Sequence, residues 1–149
     1  TLRENINADI KTAMKSREAD KLTTLRGLIA VLNNKEIEKR AKTGKEEILT
    51  DDEMLQVVMS EAKKRKDAIE LFKQGGRQDL VDQETKELAI IAAYLPKQLS
   101  ASETESAIES ILSKNEIKEF GPAMKVIMAE LRGKADAALV TEIVKKKLG

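Results

Sequence analysis

Pro96 constrains what this chain can fold into more than any other residue. Proline has no backbone N–H and biases the residue before it away from helical angles. A helix running toward it must therefore stop near Tyr94. Just beyond it, Ser100-Ala101-Ser102-Glu103 fits a capping box, in which the serine hydroxyl accepts from the glutamate amide and the glutamate reaches back to the serine amide. The stretch Tyr94-Leu95-Pro96-Lys97-Gln98-Leu99-Ser100 thus predicts the end of one helix, a short extended run and the start of another. With 2 prolines in 149 residues, one placed here reads as a domain boundary, between 1–95 and 96–149.

Apolar residues recur at helical spacing on both sides of that boundary. Leu2, Ile6, Ile10, Ala13 and Met14 predict a first helix to about Lys15, opened by a capping box at Thr1-Leu2-Arg3-Glu4. Ser16 to Asp20 reads as a turn with Asp20 as the next N-cap. Leu22, Leu25, Ile29 and Leu32 mark a second helix to about Arg40, in which Gly27 predicts close approach of a neighbouring helix. Lys42 to Leu49 reads as a mobile loop, and Thr50-Asp51-Asp52-Glu53 as a further capping box. A third helix to about Lys73 carries Met54, Val58, Ala62, Arg65, Ile69 and Phe72 on one stripe, with the Arg65 head reaching for a carboxylate. Gly75-Gly76 ends it, and Leu80, Val81, Leu88, Ile91 and Leu95 mark a fourth helix, from about Gln78 to Tyr94.

After Pro96 the predicted helices shorten. Ile108, Ile111 and Leu112 mark one at about 101–113, followed by a loop anchored at Ile117. Pro122 reads as the first residue of the next, with Met124, Ile127, Met128 and Leu131 on its buried stripe and Gly133 ending it. Asp136 caps the last, which carries Leu139, Val140, Ile143, Val144 and Leu148. The expected fold is all-α, an N-terminal four-helix bundle followed by a C-terminal three-helix bundle. Aromatics make up 2% of the chain (Phe72, Phe120 and Tyr94), so the core must be aliphatic.

Much chemistry is struck out by residue type. Histidine and cysteine are absent, which removes disulfides, Ser-His-Asp triads, cysteine nucleophiles and the usual zinc sites. Neither a P-loop nor a dinucleotide-binding glycine fingerprint occurs. Asp51 with Asp52, and Glu46 with Glu47, read as helix capping and solvated charge rather than as a Mg²⁺ site. No catalytic residue, metal ligand or cofactor is expected. The first ten residues contain Arg3, Glu4 and Asp9 and lack an apolar core, so no secretory signal is expected. The most apolar run, Leu88 to Leu95, is far below the roughly 20 residues that span a bilayer. A cytoplasmic location follows as the expectation.

Lys+Arg (27) and Asp+Glu (26) nearly cancel, so any polyanion must be met by a local patch. Lys63 to Lys66 lies among Glu61, Asp67 and Glu70 and reads as a solvated helix face. From Gly121 to Gly149 there are six basic residues (Lys125, Arg132, Lys134, Lys145, Lys146, Lys147) and three acidic ones (Glu130, Asp136, Glu142), an excess of three. Arg132-Gly133-Lys134-Ala135-Asp136 leads into a helix N-terminus, where free amides and flanking cations can hold a phosphate. The competing reading is a helix corner already capped by Asp136, with the lysines complementing the negative end of the last helix.

Several stretches together resemble a known family. They are Ala13-Met14-Lys15, Leu25-Arg26, Lys63-Lys64-Arg65-Lys66-Asp67, Gly76-Arg77-Gln78-Asp79-Leu80, Tyr94 to Ser100, and Gly133-Lys134-Ala135-Asp136 followed by Val140 and Val144. In order and spacing they are similar to the stand-alone YqeY-like members of the GatB/YqeY family. Two positions depart from the family pattern: Ala137, where a second Gly is common, and Phe120-Gly121-Pro122, where Met-Gly is frequent. The resemblance implies the four-plus-three helix arrangement. It also implies kinship with the C-terminal tail of the B subunit of tRNA-dependent amidotransferase, and with an appendage of some glutaminyl-tRNA synthetases, which help hold tRNA by its body.

The resulting expectation is a tRNA-binding accessory protein of translation with no chemistry of its own, meeting the RNA backbone through Lys125, Arg132, Gly133, Lys134, Lys145 and Lys146. The alternative is a protein-interaction module docking on an aminoacyl-tRNA synthetase or an amidotransferase subunit. A third reading, a carbon–nitrogen ligase with glutamine as amido donor, follows from the family's amidotransferase-like label and from no residue of this chain.

Overall fold

A computed structural model describes residues 1–149. Seven helices and no strand make up the regular structure: α1 (Leu2–Ser16), α2 (Ala19–Thr43), α3 (Asp51–Gln74), α4 (Gln78–Ala92), α5 (Ala101–Asn115), α6 (Phe120–Leu131) and α7 (Ala137–Leu148). The all-α expectation is borne out. The chain forms two compact units, Thr1–Leu95 and Pro96–Gly149.

In the first unit α3 packs most extensively on α4, and α1 on α2. Ile6, Leu25, Leu32, Val58 and Ile91 are fully buried at the centre, each stabilising by about 1.5–3 kcal/mol on leaving water. The capping boxes at Thr1 and Thr50 are both formed. The turn after α1 is tighter than the sequence predicts. Arg17 takes left-handed angles (φ 57), and the Glu18 amide donates to the Ala13 carbonyl at 3.0 Å. That closure leaves room only for Glu18 as N-cap, so α2 starts at Ala19, and Asp20 lies in the first turn instead of capping it. There its charge still faces the positive helix end.

Gly27 is not a site of close approach. It is exposed, and a Cβ built on it meets nothing within 4 Å. The loop after α2 also differs from expectation, because its second half is tied down. Lys39 donates to the Ile48 carbonyl (2.9 Å) and the Glu53 carboxylate (2.6 Å), and Arg40 to the Glu47 carbonyl (3.1 Å). The buried Glu36 carboxylate accepts from Arg3 (2.9 Å), Arg40 (3.1 Å) and the Leu49 amide (3.1 Å). These bonds let Leu49 enter the core at 4% exposure. Arg65 behaves as its spacing predicts, with a half-buried stem and its guanidinium on Glu84 and Glu87 of α4. Gly76 (φ 69) supplies the left-handed residue after α3, while Gly75 keeps right-handed helical angles. α4 stops at Ala92, earlier than predicted, because Tyr94 and Leu95 donate back in tight turns to Ile91 and Ala92 before Pro96. The Tyr94 hydroxyl donates to Asp9 of α1. Burial, and then the Asp9 carboxylate, push the phenol well above its ordinary pKa.

In the second unit α5 and α6 each pack on α7 and on one another. Ile108, Ala123, Ile127, Val140 and Val144 are fully buried. The Ser100 box is formed, and the Glu103 carboxyl sits below its usual value because it accepts from the Ser100 amide. Ile117 packs on the core, its amide donating to Leu112, as the predicted loop anchor requires. α6 begins at Phe120, so Pro122 is its third residue rather than its first. The earliest amides of a helix have no partner inside it, so a proline is tolerated anywhere in that turn. Asp136 caps α7 by accepting from the Ala138 amide at 3.2 Å.

Candidate nucleic-acid interface

The turn between α6 and α7 is built from its backbone outward. α6 ends as Arg132 turns extended (φ −58, ψ 128), and Gly133 then takes φ 81, a region where a side chain is strained. Gly133 and Ala135 are buried, whereas Arg132, Lys134 and Asp136 are exposed. Four amides of the corner are used inside the fold. Arg132 donates to Met128 (3.0 Å), and Lys134 and Ala135 both donate to Leu131 (2.9 and 3.1 Å). The Ala138 amide goes to Asp136. These four amides are therefore committed inside the fold, and the Asp136 cap already occupies one of those at the α7 N-terminus.

The carbonyls of the turn are used as well, by the stretch that follows Pro96. The Gln98 side-chain amide donates to the Gly133 carbonyl at 2.6 Å and to the Pro96 carbonyl at 2.8 Å. The Leu99 amide donates to the Lys134 carbonyl at 2.9 Å. Two motifs, Pro96 to Ser100 and Gly133 to Asp136, thus form one joint within the second unit. Neither motif by itself points to the other as its partner. The available signal was a glutamine in a proline-stiffened extended segment, where exposed backbone carbonyls need donors.

The predicted interface residues fall into three groups along the surface. Arg132, Gly133 and Lys134 share the turn, with Gly133 buried beneath the other two. Lys125 is exposed on α6, about 10 Å back along the axis at 1.5 Å per residue. Lys145 and Lys146 are exposed in the last turn of α7, about 12 Å along its axis from the corner. Lys146 pairs with Glu142 at 3.3 Å, both well exposed, an interaction worth only about 0.3–0.5 kcal/mol. Lys147, grouped with them in the sequence, has another task. It pairs with Glu109 and with Glu105 (3.6 Å) on α5, and the Glu109 hydrogen bond raises its pKa.

Elsewhere, charged side chains pair with near neighbours on the surface. Lys64 pairs with Glu61 at 3.2 Å on α3. Arg77 forms a forked pair with Asp79 at the start of α4 (3.2 and 3.1 Å), which raises the arginine pKa and lowers that of the aspartate. Of the aromatics, Phe72 is half-buried and Phe120 is 40% exposed at the start of α6.

The chain matches the family described as Yqey-like protein over residues 3–148. It is similar to proteins named altered inheritance of mitochondria protein 41, mitochondrial, from several fungi. The one from Lachancea thermotolerans is 34% identical over 124 residues, covering 82% of this chain and 63% of that relative. That from Kluyveromyces lactis is 30% identical over 131 residues, covering 88% and 67%. That from Pyrenophora tritici-repentis is 28% identical over 149 residues, covering 97% and 79%. The chain thus spans about two thirds of the length of the two yeast relatives. Those names describe the relatives as mitochondrial, so the expected cytoplasmic location draws no support from them. No helix of this chain is long and apolar enough to cross a membrane. The match runs across both units and through every stretch on which the resemblance was read: the chain belongs to the Yqey-like protein family.

Proposed function

We propose that this protein is a tRNA-binding accessory factor of translation whose C-terminal unit meets the RNA backbone and which performs no chemistry itself. The observation that carries the reading is the exposure of five cations, Lys125, Arg132, Lys134, Lys145 and Lys146, in a region with six basic and three acidic residues from 121 to 149. The resemblance to the amidotransferase B-subunit tail supports it, since such tails hold the tRNA body. In this reading 1–95 is a four-helix bundle and 96–149 a three-helix bundle that engages RNA. The protein works in the cytoplasm or, like its named relatives, in mitochondria. Recognition is of backbone shape, because three aromatic residues in the whole chain leave almost nothing for bases to stack on. The test compares tRNA binding by the intact protein with that of a Lys134→Glu, Lys145→Glu double variant. The reading expects binding at low salt that the variant loses; no binding, or equal binding, sinks it.

A second reading rests on the first unit. Met14, Ile37 and Leu71 on the helices and Ile48 in the loop after α2 are each more than half exposed. They fit a docking role in which protein, not RNA, is the direct partner. Co-purification that survives nuclease treatment favours this reading, and co-purification that disappears with the RNA favours the first.

A further inference from the structure

We infer that Gln98 is a positioning residue for the Arg132–Asp136 turn, holding Lys134 in place for contact with an RNA phosphate. The inference rests on the RNA-backbone reading above and adds a residue which that reading does not contain.

The chemistry of the joint fixes the orientation of Gln98. Both neighbours of its amide, Pro96 and Gly133, present carbonyl oxygens. Carbonyls only accept, so the NH₂ end must face both and spends its two protons there. The side chain is half-buried and uncharged. Its neighbour Leu99 completes the hold by donating to the Lys134 carbonyl at 2.9 Å, while the Lys134 amide donates to Leu131 at 2.9 Å. Both backbone groups of Lys134 are thus committed inside the fold, and its Cα–Cβ direction is set before any ligand arrives. A cation on a fixed stem loses less freedom on binding than one on a mobile loop. Gly133 supplies the left-handed angle (φ 81) that turns its own carbonyl toward Gln98. Lys145, on the last turn of α7, makes no use of this joint and serves as the internal control.

The test is Gln98→Met in the intact chain, which keeps length and charge and removes both donated bonds. At low salt the variant is expected to bind tRNA about threefold to tenfold more weakly, the range spanned by loss of one net hydrogen bond. The slope of affinity against salt should become shallower by up to about 0.7–0.9, because a displaced Lys134 no longer neutralises its phosphate. Exchange of the Leu99 amide should accelerate. In the Gln98→Met background, Lys134→Met should add little further loss while Lys145→Met keeps its full effect, as coupled and independent sites require. Gln98→Asn, whose amide is too short to reach both carbonyls, should fall between wild type and Gln98→Met and covers the case in which the methionine variant folds poorly. Wild-type affinity in both variants overturns the inference and leaves the RNA reading standing. So does full additivity with Lys134→Met. Absence of tRNA binding by the wild type overturns both.

Discussion

Removing the Glu36 carboxylate should weaken the first unit by an amount that can be worked from its partners. One oxygen accepts from the Leu49 amide at 3.1 Å and from Arg3 at 2.9 Å, and the other from Arg40 at 3.1 Å. Leu49 is 4% exposed, so in Glu36→Ala its amide is stranded away from water, at a cost of about 1–3 kcal/mol. Arg3 and Arg40 keep side-chain exposures of 27% and 44% and can turn to solvent, so the two lost pairs add about 1 kcal/mol together. The expected loss is about 2–4 kcal/mol. A 95-residue unit typically holds about 5–14 kcal/mol, so it should stay folded in buffer. Urea unfolding followed by tyrosine emission reads this unit alone, because Tyr94 is the chain's one tyrosine and there is no tryptophan. The midpoint should fall with the slope unchanged. Glu36→Gln keeps an acceptor for Leu49 and should lose about half as much. A Glu36→Ala midpoint matching wild type would refute the claim that Glu36 anchors the loop end at Leu49.

Gly27→Ala should stabilise the same unit by about 1 kcal/mol, read in the same urea titration, because the added methyl meets nothing within 4 Å; destabilisation would mean a neighbour packs there. Glu53 is held down to about 2 by its hydrogen bond from Lys39 and then by the Thr50 amide. A lowered folded pKa stabilises above the unfolded value, near 4.5, and that contribution is lost as pH falls toward 2. An NMR titration of the Glu53 side chain should show the low midpoint, and Glu53→Gln should flatten the acid limb of the stability profile over that interval.

The helices were legible because their signals are local. Aliphatic spacing fixes which face of each helix is buried, and the boxes at Thr1, Thr50 and Ser100 and the cap at Asp136 lie within a few residues of the amides they satisfy. What sequence reasoning missed depends on partners far along the chain. Gly27 looked like a contact point because a helical glycine usually needs a reason, and only the packing shows open space around it. The loop after α2 looked mobile because its composition is polar, yet Glu36 and Lys39 hold its end from one face of α2. Lys147 counts as one more cation until Glu105 and Glu109 of α5 are placed against it. The joint between Gln98 and Gly133 spans 35 residues and joins a side chain to a carbonyl, which no periodicity encodes. The interface cations themselves were readable as a charge excess. Their separation along α6, the turn and α7 was not, because it depends on where each helix begins.

The central claim, that the C-terminal cations grip an RNA backbone, is tested most directly by the salt dependence of tRNA binding to the intact chain. Three to five phosphate contacts predict that log affinity falls with log salt at a slope of about −2 to −4, and that Lys134→Glu with Lys145→Glu makes the slope shallower by roughly 1.5 to 2. Binding with a slope near zero, or a slope the double variant leaves unchanged, would contradict it.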